Sequence, residues 1–146
     1  MNQFGTEHFS KAGAGALRAG RMLAFAAVAV WGAVHAQSIG PTDAKGSSTK
    51  ALGSIDLAAE IDGLSGWQLR ARSVTIQPGG HVAVHSHKGR PTMEYVAQGN
   101  VVEIRNGLEI RHQAGDMVMA AHDVTHWWEN RGSVPVILVP VDLYKP

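Results

Sequence analysis

From about residue 53 onward, apolar and polar positions alternate with a period of two. In "WQLRARSVTI", Trp67, Leu69 and Ala71 alternate with Gln68, Arg70 and Arg72, the pattern of a half-buried strand. Turn signals recur at short intervals: "QPGG" at 77–80, "KGRP" at 88–91, "QGN" at 98–100, "RNG" at 105–107, "AGD" at 114–116 and "NRGS" at 130–133. The runs between them, "HVAVHSH", "TMEYVA", "VVEIR", "LEIRH", "MVMAA", "THWWEN" and "PVILVPV", suit strands. Asn106-Gly107 is a tight-hairpin signal, because both residues accept the positive φ such turns require. The segment "SIDLAAEI" alternates Ile55, Leu57, Ala59 and Ile61 but also permits a helical turn, so strand and short helix stay open there. Many short strands with regularly spaced turns predict an all-β sandwich or barrel.

Upstream the pattern changes. Residues 37–52, "QSIGPTDAKGSSTKAL", are rich in Gly, Ser, Thr and Lys, which predicts a flexible tether. Residues 1–36 read as a secretory signal peptide: Lys11, Arg18 and Arg21 precede the apolar run Met22 to Val34, and "VHA" before Gln37 fits a cleavage site. That run is shorter than the ~18–20 apolar residues of a membrane span, so no stable span is expected after processing. The expected setting is periplasmic or secreted, with one domain over residues 53–146.

Charge narrows the partners. Removing the leader's three basic and one acidic residues from 13 and 12 leaves 10 against 11, a near-neutral chain. Such a balance argues against nucleic acid and against an anionic membrane surface. Cysteine is absent, so neither disulfides nor thiolate chemistry are available.

The chemistry must then lie with histidine. In a strand, His85 and His87 point the same way with Cα atoms ~6.6 Å apart, close enough for both imidazoles to reach one ion. A third ligand has to come from a distant strand, and His126 in "THWWEN" is the best candidate. His112 and His122 read as exposed or loosely paired. His81 shares the parity of His85 but sits at the strand start beside Gly79 and Gly80.

"GGHVAVHSH" with "EYVAQG", followed by "GDMVMAAHDVTHWWEN", resembles the two signature motifs of the cupin superfamily, in particular its small single-domain conserved barrels. Gly79, His85, His87 and Gly99 fit the first motif; Gly115, His126 and Asn130 fit the second, with Ala121 and Asp123 replacing its proline and glycine. The resemblance implies a jelly-roll β-barrel over about Ser54 to Asp142, with two first-motif histidines, a glutamate and a second-motif histidine holding one divalent transition metal.

Carried over, this implies His85, His87 and His126 as ligands. Counting from either side places Thr92 in the glutamate slot, while Glu94 lies two residues further along the same strand face. Glu94 is expected to contact the metal or a metal-bound water, since an inward carboxylate without partners is costly to bury. Thr92, Trp128 and Asn130 are candidate pocket residues, Trp128 reading first as a core indole. Met117 and Met119 read as core packing. Lys88 and Arg90 read as a solvated loop, with an anionic substrate as the alternative.

Fe, Mn, Ni, Cu and Zn all remain open for such a ligand set. The expected function is that of an exported mononuclear metal-binding cupin, a dioxygenase-like oxidoreductase acting on a small polar or aromatic molecule. The competing reading is a binding module without turnover. A homodimer is expected from the resemblance.

Overall fold

A computed structural model describes residues 40–146; the expected signal peptide lies outside the described residues. Eight strands follow in chain order: β1 (Lys45–Asp56), β2 (Gln68–Ser86), β3 (Thr92–Gln98), β4 (Asn100–Arg105), β5 (Leu108–Gln113), β6 (Met117–Ala120), β7 (Thr125–Glu129) and β8 (Val136–Tyr144). They form one curled antiparallel sheet of order β5-β4-β7-β2-β8-β3-β6, with β1 added against β2. This is the all-β, jelly-roll arrangement expected from the sequence. Among the described residues no helix is long and apolar enough to cross a membrane.

Binary patterning explains the sheet's two faces. Thr92, Glu94 and Val96 on β3, Val118 and Ala120 on β6, and His126 and Trp128 on β7 are buried, whereas their odd-step neighbours turn outward. Ile76, Val96, Val101, Val118, Trp128, Val136 and Leu138 form the core. Between β4 and β5 the chain reverses at Asn106 (φ 49°) and Gly107 (φ 84°), as the Asn-Gly signal predicts.

Four expectations need correction. Residues 45–52 are not a loose tether: Lys45–Asp56 is a strand, paired with β2 from Ser47↔Ile76 to Asp56↔Gln68. Pairing is made by backbone groups, so polar residues suffice where a neighbouring strand offers an unpaired edge. "QPGG" does not end a strand, because β2 runs through it as a single 19-residue element. Met117 and Met119 lie on the outer face, about half and two-thirds exposed, opposite Tyr95 and Met93. The segment after Asp56 is neither strand nor helix but a series of turns, anchored by buried Leu57.

Candidate metal centre

The histidine pair owes its direction to an irregularity in β2. Val82 pairs with Trp128 and His85 with His126, so three steps on β2 match two on β7. The extra residue is a β-bulge, which reverses side-chain parity. Upstream of it Val82 packs on the core while His81 stands on the other face, edge-on to Trp127 with ring centroids 6.3 Å apart. Downstream, His85 and His87 turn inward. Simple alternation, which groups His81 with His85, fails at this bulge.

The structure brings His85, His87, Glu94 and His126 together, with one donor atom from each within 4.8 Å of all the others. Nε2 of His126 lies 2.9 Å from Nε2 of His87 and 3.2 Å from Nε2 of His85. Glu94 Oε1 lies 3.6 Å from His87 Nε2 and 3.5 Å from His126 Nε2. Donors each ~2.0–2.1 Å from one ion stand ~3.0–3.4 Å from each other, so this set fits a single ion.

Tautomers strengthen the fit. His85 Nδ1 donates to Ala83 O at 2.9 Å, and His126 Nδ1 donates to Glu103 Oε1 at 2.5 Å. His87 Nδ1 donates to Thr92 Oγ1 at 2.8 Å and to Arg90 O at 3.1 Å, while the threonine hydroxyl donates onward to Arg90 O. Carbonyls and carboxylates only accept, so each imidazole carries its proton on Nδ1 and turns an Nε2 lone pair inward. Facing lone pairs at 2.9 Å require a cation between them, whether a proton or a metal ion.

The electrostatics follow from burial and neighbours. Burial pushes His85 down and holds His87 at about 4, and the nearby His126 adds to both shifts. Burial also opposes charge on His126, but the Glu103 and Glu94 carboxylates outweigh it and raise its pKa. At Glu103 burial acts upward, yet bonds from His126, Arg105 and His112 prevail and hold the carboxyl at about 2.

Glu103 and His112 were not foreseen as site residues. Glu103 is fully buried and accepts from Arg105 Nε at 2.7 Å and His112 Nε2 at 2.9 Å, besides His126. His112 is therefore not loosely paired; His122 is exposed, as expected. One signal was present: Glu103 shares its strand face with the core residue Val101 and with Arg105, so parity alone sets a carboxylate beside an arginine on an inward face.

A cavity of about 350 Å³ opens onto three of the four donors, His85, His87 and Glu94. Trp128 lies in its wall and in the core at once. Thr92 and Asn130 do not line it. Thr92 orients His87, and Asn130 ties the β7 end to Ile76 O and Val134 O, at 2.9 and 2.8 Å, through its side-chain amide. Arg90 lines the cavity rather than belonging to a solvated loop.

Residues 72–142 match the family model described as "Cupin domain". The tetracenomycin polyketide synthase protein TcmJ of Streptomyces glaucescens is 28% identical over 112 residues, covering 77% of this chain and 71% of that protein. A Thermotoga maritima protein described as a predicted oxalate decarboxylase superposes with a TM-score of 0.54 at 22% identity, over 66% of this chain and 79% of the other. The Cupin_2 domain of an XRE family transcriptional regulator from Enterobacter cloacae gives 0.53 at 18% identity, over 70% of this chain and all of the other.

Proposed function

Because this chain belongs to the cupin superfamily, we propose that it is a mononuclear metalloprotein, with His85, His87, Glu94 and His126 holding one divalent transition ion, that acts on a small molecule in the adjoining cavity. The observation that carries the reading is the convergence of three inward Nε2 lone pairs and one carboxylate oxygen beside that cavity. A bound ion of this kind supplies Lewis acidity and, for Fe(II) and related ions, a route to dioxygen chemistry.

The chain's own residues supply the rest. Glu103, Thr92 and the Ala83 carbonyl fix the three imidazole orientations, which lowers the reorganisation needed to bind. Val82, Leu138 and Trp128 make an apolar wall that excludes water from one side of the site. Access from the cavity to three of the four donors favours turnover over a sealed storage site. A periplasmic or secreted setting belongs to the same proposal and rests on the composition of residues 1–36.

The test is oxygen uptake by Fe(II)-loaded protein across a panel of small polar and aromatic molecules. Uptake that depends on both substrate and His126 supports a dioxygenase-like enzyme. Stoichiometric metal binding without uptake or product would assign the chain to ligand capture instead.

A further inference from the structure

Asp142 is buried at the centre of three arginines. Its Oδ1 accepts from Arg70 Nε at 3.1 Å; its Oδ2 accepts from Arg70 Nη2 and Arg72 Nη2 at 3.0 Å each and from Arg90 Nη1 at 2.8 Å. Three guanidinium charges thus face one carboxylate, leaving two positive charges in excess. Arg70 spends its fork on Asp142 and lies over the Tyr144 ring, 3.7 Å from the centroid. Arg72 and Arg90 are different, for both line the cavity that opens onto His85, His87 and Glu94.

Arg72 Nε is buried without a hydrogen-bond partner among the described residues. A buried donor of a charged group left unpaired is costly, and an acceptor entering the cavity beside Arg72 would offset that cost. Burial pushes the Arg72 pKa down, with Asp142 and Glu94 acting against it and Arg70 and Arg90 adding to it. Glu94, the carboxylate that does line the cavity, is directed at the imidazole nitrogens. Val74, Val82, Trp128, Leu138 and Pro140 make one part of the wall apolar, and Ser47, Ser48 and Thr49 of β1 add a polar edge.

We propose that the cavity takes a small carboxylate with an apolar body, its charged head held by Arg72 and Arg90 and its body against Trp128 and Leu138. This rests on reading the cavity as the small-molecule site beside the metal centre. The volume suits a ligand displacing on the order of ten waters, at ~30 Å³ each. A planar guanidinium fork matches a two-oxygen head. Apolar walls fit an organic body better than a strongly hydrated inorganic phosphate.

Calorimetry on the full chain tests this, with and without Zn(II), using benzoate and butyrate, each paired with its uncharged alcohol, and inorganic phosphate. At least one carboxylate is expected to bind about tenfold or more tighter than its alcohol, as a charge-assisted hydrogen bond implies, and tighter than phosphate. Arg90→Gln is expected to remove most of that preference and Arg90→Lys to restore part of it, with Zn(II) binding retained, since the Arg90 carbonyl that His87 uses is kept. Equal binding of acid and alcohol, tighter binding of phosphate, no binding of either carboxylate, or a preference that survives Arg90→Gln would overturn the assignment. The ligand comparison on the unmodified chain decides the matter if a variant does not fold. Carboxylate preference in a chain that binds none of Mn(II), Fe(II), Ni(II) and Zn(II) would remove the metal reading and leave this one, whereas metal binding without the preference would do the reverse.

Discussion

Glu103 accepts the Nδ1–H of His126 at 2.5 Å, with both side chains fully buried. The bond directs His126 Nε2 toward His85 and His87, and the Glu103 carboxylate is itself held by Arg105 and His112. Outer partners of this kind contribute ~10–100-fold to metal affinity. Glu103→Gln is expected to weaken metal binding within that range, measured by chelator competition. The His126 ring nitrogens should also lose their single-tautomer signature in nitrogen NMR spectra. Unchanged affinity with unchanged ring shifts would reduce Glu103 to a packing residue.

The same carboxylate makes the metal-free fold sensitive to acid. Glu103 is held at about 2, below an ordinary glutamate, so it stays ionised in the folded protein where the unfolded chain takes up a proton. Its contribution is complete above the ordinary glutamate value and is lost as pH falls from there toward about 2. Asp142, opposed by burial but lowered by its arginines, acts with the same sign. Urea unfolding at stepped pH should show stability falling through this window, and falling less steeply in Glu103→Gln.

Glu94 and Thr92 divide the role that one glutamate fills in the family motif. Thr92 stands in the motif's slot but bonds to His87 Nδ1, while Glu94 reaches the Nε2 atoms from two residues further on. Glu94→Gln is therefore expected to weaken metal retention more than Thr92→Val. The second change should cost less than about tenfold, below or at the low end of outer-partner effects, because the Arg90 carbonyl still accepts from His87 Nδ1. The reverse order would reassign the two residues.

Trp128 and Met119 separate the two faces of the sheet. Trp128→Ala empties a fully buried site and should destabilise the fold by about 3–5 kcal/mol in denaturant unfolding. Met119→Lys, on the exposed outer face, should stay within about 0.5 kcal/mol. A large loss from the second change would mean that Met119 is covered by something in solution.

Period-two alternation made most of the strands and the Asn106-Gly107 turn legible in the sequence, because side-chain direction in a strand is local. Strand parity brought His85 with His87, and Thr92 with Glu94, to one face for the same reason, whereas His126, on a distant strand, rested on the family resemblance. What alternation could not convey is anything set by backbone pairing or by long-range contact. β1 is held to β2 by its backbone, so its Ser, Thr and Lys side chains gave no sign of a strand. The bulge before His85 changes parity without any distinctive residue. Glu103 meets His126 only through the pairing of β4 with β7, and His112, nine positions on across a hairpin, meets Glu103.

Metal stoichiometry tests whether the four side chains hold one ion. Equilibrium dialysis of metal-stripped protein against Mn(II), Fe(II), Ni(II) and Zn(II), followed by elemental analysis and thermal unfolding, should give one ion per chain for at least one metal. The melting temperature should rise with that metal's concentration, as expected for a ligand that binds only the folded state. Both effects should vanish in His126→Ala. No bound ion from any of the four metals, or equal binding in His126→Ala, would contradict the account.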